Sequence, residues 1–85
     1  HSDLRGADLR GADLRGATLV GANLSRAMLV GTVFTEANLQ DSILRRADLR
    51  TAVMRRADLR NADLRHTFLD ETDLTGADLH GAFLP

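Results

Sequence analysis

With 85 residues the chain is long enough for one domain and too short to bury a large globular core. It has no cysteine, which excludes disulfides and thiolate metal sites. Its eleven arginines, with no lysine among them, face twelve acids for a net charge of −1. That balance is neither the basic excess of a nucleic-acid binder nor a strongly acidic surface, and nothing in the chain reads as a membrane span or a leader.

From the first residues onward the period is five. All fifteen leucines fall in one phase, and Phe34 and Met54 fill its two remaining places. The phase runs Leu4, Leu9, Leu14, Leu19, Leu24, Leu29, Phe34, Leu39, Leu44, Leu49, Met54, Leu59, Leu64, Leu69, Leu74, Leu79, Leu84. Two residues before each of these stands a small side chain: all twelve alanines, with Ser2, Thr32, Ser42, Thr67 and Thr72. Two residues after lies a phase that holds all seven glycines. An α-helix cannot use this pattern, because five residues advance the leucine by about 140° and smear it around the axis. A flat strand fails too, since an odd period sends successive leucines to opposite faces. The chain must turn once per repeat. The small residue and the leucine then point inward from a short extended piece, and the glycine phase marks the corner, where a type II turn needs positive φ. One such coil cannot bury its inner face alone, so coils must stack.

The pattern Ala7-Asp8-Leu9-Arg10-Gly11, repeated from Ala12 to Gly16 and more loosely to the end, resembles the pentapeptide-repeat family. The resemblance covers the whole chain in one frame as a single domain over residues 1–85. It implies an all-β fold without α-helix, a right-handed quadrilateral β-helix of about four coils with four repeats in each. Residues twenty apart would then share a column, and Phe34 and Met54 would touch inside one of them as gap-filling core.

The corner phase changes along the chain. Glycines occupy it in the first coil, whereas the middle has Arg26, Glu36, Asp41, Arg46, Thr51, Arg56 and Asn61, and His66 and Glu71 follow. Most of these residues disfavour positive φ. The expectation is type II turns at both ends and a different turn through most of the middle, with only Gly31, Asp41 and Asn61 ambiguous.

The outward phases carry aspartates just before the core position and arginines just after it, best read as exposed ion pairs on a solvated face. Two departures stand out in the middle coils. Met28, Val30, Val33 and Val53 are apolar at outward positions, beside Ile43 and Phe68 further round, and Arg45, Arg46, Arg50, Arg55, Arg56 and Arg60 encircle one coil. These ten, Met28 to Val53 and the arginine ring, are the candidate interaction surface, with protein as the expected partner. A ring of arginines is a poor nucleic-acid stripe, and the only aromatics are three phenylalanines. His1, His66 and His80 fall on different phases and do not converge on a metal. No paired carboxylates in a cleft suggest catalysis, and no cofactor motif is present.

The repeats begin and stop in phase, so the chain reads as a segment lacking end caps, and exposed coil ends predict end-to-end association. The leading functional reading is a non-enzymatic interaction surface or rigid scaffold. The rival, implied by the family, is a DNA-mimicking protein that binds gyrase and gives quinolone tolerance. That reading needs a strongly acidic surface.

Overall fold

A computed structural model describes residues 2–85, and it contains no helix among them. Each repeat makes a short extended segment followed by a tight turn. The Leu4 carbonyl accepts from the Ala7 amide at 3.0 Å, Leu9 accepts from Ala12 at 3.0 Å, and the same closure recurs around every coil. Every bridge is parallel and joins residues twenty apart, as in Asp3 with Asn23 and Val33 with Val53. Four repeats therefore close one coil, and the chain is a right-handed quadrilateral β-helix. Coil one spans residues 2–21, coil two 22–41, coil three 42–61 and coil four 62–81. The four faces are named here by their first core residue: Leu4, Leu9, Leu14 and Leu19.

The corners differ from the expectation. All sixteen corner residues have positive φ, seven glycines at 68–72° and nine others at 54–63°, among them Arg26 (60°), Arg46 (61°) and Thr51 (60°). The turn type does not change in the middle of the chain. The reason lies in the peptide at the centre of each turn. The Arg45 carbonyl accepts from the Arg26 amide at 2.9 Å, while the Arg46 amide donates to the Arg65 carbonyl at 3.2 Å. A type I turn differs from type II by a flip of this peptide, which would break both bonds. Each such bond is worth about 1 kcal/mol net, and more if a group is left unpaired. A non-glycine residue in the left-handed region costs about 1–2 kcal/mol. The ladder outweighs the residue preference, so each coil copies the corner of the coil above it.

The inward phases pack as the period requires. Leu24, Leu29, Leu39, Leu44, Leu49, Leu59 and Leu64 are buried between flanking coils, and Leu4, Leu9, Leu14, Leu19, Leu69, Leu74 and Leu79 are half-buried. Leu84 is exposed. Phe34 and Met54 occupy adjacent rungs of one column, and both are fully buried in the core. In the small phase three threonines satisfy their hydroxyls on backbone carbonyls: Thr32 on Leu9 at 2.7 Å, Thr67 on Leu64 at 2.8 Å and Thr72 on Leu49 at 2.6 Å. Ser42 Oγ is buried with no partner.

Candidate interaction surface

The aspartate before the core position does more than pair with charge. In the turn, the amide of the residue after the core position has no place in the ladder between coils. Asp3 supplies its acceptor: Oδ1 takes the Arg5 amide at 3.2 Å and Arg5 Nε at 2.9 Å, and Oδ2 takes Nη2 at 2.8 Å. The same bracket joins Asp8 to Arg10, Asp13 to Arg15, Asp48 to Arg50, Asp58 to Arg60 and Asp63 to Arg65. Asparagine makes the same backbone bond, Asn23 accepting from the Ser25 amide at 3.1 Å and from its hydroxyl at 2.6 Å, and Asn38 from the Gln40 amide at 3.1 Å. The Asp-x-Arg spacing of two carried this signal, although reading the pairs only as solvated charge missed the backbone bond.

The carboxyls respond accordingly. The Arg5 side chain and then its amide hold the Asp3 carboxyl down at about 2, and Arg10 does the same to Asp8, also at about 2. Asp13, Asp48, Asp58 and Asp63 are lowered for the same leading cause, the side-chain hydrogen bond from the following arginine. These pairs are exposed, so their contribution to stability is small and sensitive to salt.

Against that bracket the apolar departures become informative. Met28, Val33, Ile43, Val53 and Phe68 stand where an aspartate or asparagine acceptor stands in most repeats, and the amides of Val30, Thr35, Arg45, Arg55 and Asp70 have no partner inside the chain; the Val20 amide behind Thr18 has none either. Val33 and Val53 are bridge partners on the Leu14 face, both half-buried. Val30 precedes them across the Gly31 corner, on the Leu9 face with Met28. Met28 is 39% exposed, and Asp48, its bridge partner in the next coil, separates it from Phe68. Ile43 lies on the Leu4 face and is 37% exposed. The structure therefore brings Val33 and Val53 together directly, and distributes Met28 and Ile43 to either side of one edge.

The six arginines do surround coil three, but they are not equivalent. Arg50 and Arg60 are held by their own aspartates at 2.6 and 2.7 Å. Arg55 reaches Asp73 at 3.6 Å, Arg56 reaches Glu36 at 3.8 Å, and Arg45 reaches Asp63 at 3.8 Å. Arg46 has no acid within salt-bridge distance, and neither has Arg26. Counting charge by coil overlooked Arg26, Arg65 and His66. The corner phase combined with the twenty-residue register would have found them, because Arg26, Arg46 and His66 form one column. His80 lies on the Leu19 face, and His1 is outside the described residues. Among the described residues no group of histidine and acid side chains is placed to hold a metal, and no helix is long and apolar enough to cross a membrane.

Two depressions of the surface lie along that same edge. One, of about 290 Å³, is lined by Ser25, Arg26, Arg45 and Arg46. The other, of about 670 Å³, is lined by Asp3, Arg5, Gly6, Ser25 and Arg26. Both are open hollows without a catalytic constellation.

Known proteins agree with this architecture. The chain is similar to the solved structure of HetL, a pentapeptide repeat protein involved in heterocyst differentiation regulation from the cyanobacterium Nostoc sp. strain PCC 7120. The two share 34% identity at a TM-score of 0.55 over 98% of this chain and 40% of that one. It is also similar to a pentapeptide repeat protein from the Arabidopsis thaliana thylakoid lumen, with 28% identity and a TM-score of 0.66 over 95% of this chain and 63% of that one. The chain thus spans less than two thirds of the length of either. No curated protein matches it. The model of the pentapeptide repeats matches residues 1–35, 17–56, 32–69 and 52–85, which together cover the sequence, and the chain belongs to the pentapeptide-repeat family.

Proposed function

We propose that the chain is a non-enzymatic protein-interaction module whose contacts are made by the outward residues of coils two and three. One observation carries the reading. At Met28, Val33, Ile43 and Val53 an apolar side chain replaces the aspartate or asparagine that satisfies a backbone amide in most repeats, so the surface forgoes a hydrogen bond to present an aliphatic group, and Phe68 makes the same exchange in coil four. Folding alone gives no reason for that exchange, whereas a partner surface does.

The DNA-mimic reading has less behind it. Six aspartates are engaged by the arginine two residues on, so the acidic surface such a mimic presents is largely neutralised within each repeat.

The test is affinity capture with the full chain, comparing it with a Val33→Asn, Val53→Asn variant and with a control carrying Thr18→Asn on coil one. The proposal expects proteins retained by the parent and the control to be lost from the variant. Identical retention by all three would overturn it.

A further inference from the structure

Of the four edges of the square, one is cationic along its length. Below Gly6, the corner between the Leu4 and Leu9 faces carries Arg26, Arg46 and His66, flanked by Arg45 and Arg65 at the preceding position. The other edges are mixed: Thr51 and Glu71 below two glycines, Glu36 and Arg56 between two glycines, and Asp41 with Asn61 between two glycines. Along the cationic edge Arg26 and Arg46 have no acid within salt-bridge distance. Asp63 serves both Arg65, at 2.7 Å, and Arg45, at 3.8 Å. The edge therefore keeps an excess of positive charge. Arg26 and Arg46 also hold φ of 60° and 61°, a conformation that favours glycine, which stands in this column only at Gly6.

We propose that this edge docks an extended acidic segment of a partner protein, a reading that rests on the interaction role above. Three features select that occupant. The unpaired guanidinium groups of Arg26 and Arg46 want carboxylates, and the hollow lined by Ser25, Arg26, Arg45 and Arg46 receives them. Rungs about 4.8 Å apart place the corner column over about 10 Å, and alternate side chains of an extended peptide recur every 6.6–6.8 Å, so two carboxylates two residues apart fit its length. Met28 on one side of the edge and Ile43 on the other, both exposed, give aliphatic contact to the methylene stems of those glutamates and to the peptide backbone. Single-stranded nucleic acid would instead use aromatic platforms beside the arginines. The neighbours of Arg26 and Arg46 on this edge, Ser25, Arg45, Met28 and Ile43, include no aromatic ring; Phe68 stands at the far end beside His66, and the Phe83 ring already lies 5.2 Å from the Arg65 guanidinium.

The experiment is fluorescence anisotropy on the full chain with three probes: a labelled peptide alternating glutamate and leucine, the same peptide with glutamine for glutamate, and an oligothymidylate. The glutamate peptide should bind, and the glutamine peptide should bind at least about tenfold more weakly. R26Q together with R46Q should weaken binding of the glutamate peptide by about tenfold or more. R56Q on the opposite edge should change it by less than about twofold, and all variants should keep the circular dichroism of the parent. Failure of the peptide to bind, equal binding by the R26Q/R46Q protein, or tighter binding of oligothymidylate would overturn the proposal. A parent dimer dispersed by R26Q/R46Q would overturn it in favour of a second copy. If the edge fails these tests while Val33→Asn, Val53→Asn still abolishes capture, the interaction role stands without this edge. If both fail, the role falls with it.

Discussion

Coil one and coils two and three share one backbone and differ in what they expose. Residues 2–21 place glycine at all four corners and close three of their four repeats with an aspartate-arginine bracket. Residues 22–61 keep glycine at one corner of eight and replace the bracket acceptor by Met28, Val33, Ile43 and Val53. The turns are nonetheless the same, because the central peptide of each turn is bonded to a neighbouring coil, and in coils two and three to the coils on both sides. The comparison separates what a repeat needs in order to fold from what it can vary. Inward size and the corner peptide are held, while the outward residues and even the identity of the corner residue are free to serve a partner.

The largest expected contrast lies in the core. Leu44 is completely buried between neighbouring coils, whereas Leu9 in coil one is half-buried. Leu44→Ala should cost about 3–5 kcal/mol in chemical denaturation and Leu9→Ala clearly less. Equal costs would erase the distinction between the coils. At the corners, Gly11→Ala introduces a Cβ into open space and should cost about 1 kcal/mol from φ alone. Gly81→Ala should cost about as much, because the atom its Cβ meets is the tip of the exposed Asn61 side chain, which can turn away. In the opposite sense, Arg46→Gly should leave stability unchanged or raise it by up to about 1 kcal/mol; a marked loss would mean that Arg46 itself holds the corner. Within the small phase, Ser42→Ala removes the buried hydroxyl that has no partner and should stabilise by about 1 kcal/mol, while Thr32→Ala, which takes away a satisfied one, should not.

The smallest effect is that of pH. The carboxyls of Asp3 and Asp8 are depressed to about 2 in the folded chain, so what their pairing contributes is fully present above the unfolded carboxylate value near 4. It is lost as pH falls from about 4 to about 2. Melting temperature should decline modestly across that window, and added salt should reduce the decline. A melting temperature that rises on acidification would contradict the bracket.

Much of this was legible in the sequence because the core residues are sorted without exception. Leucine and alanine in fixed phases specify the coil, and the family resemblance implied the square that turns a phase into a column. The corners were not legible in the same way. Arg26, Glu36 and Thr51 argue locally against positive φ, and only the hydrogen bonds to the next coil override them. The interaction surface was half visible. Met28, Val30, Val33 and Val53 stood out by composition, yet their meaning depends on the unpaired amides behind them. The cationic edge was hidden because Arg26, Arg46 and His66 are twenty residues apart and belong to no single coil.

The central claim is that the outward apolar residues serve a partner and not the fold. It is tested most directly by the thermal melting of one variant carrying Met28→Asn, Val33→Asn, Ile43→Asn and Val53→Asn, each of which offers an acceptor to an unpaired amide. The account predicts a melting temperature that falls by less than that of Leu44→Ala alone, or rises. A larger fall than Leu44→Ala would show that these side chains hold the solenoid together, and would contradict the claim.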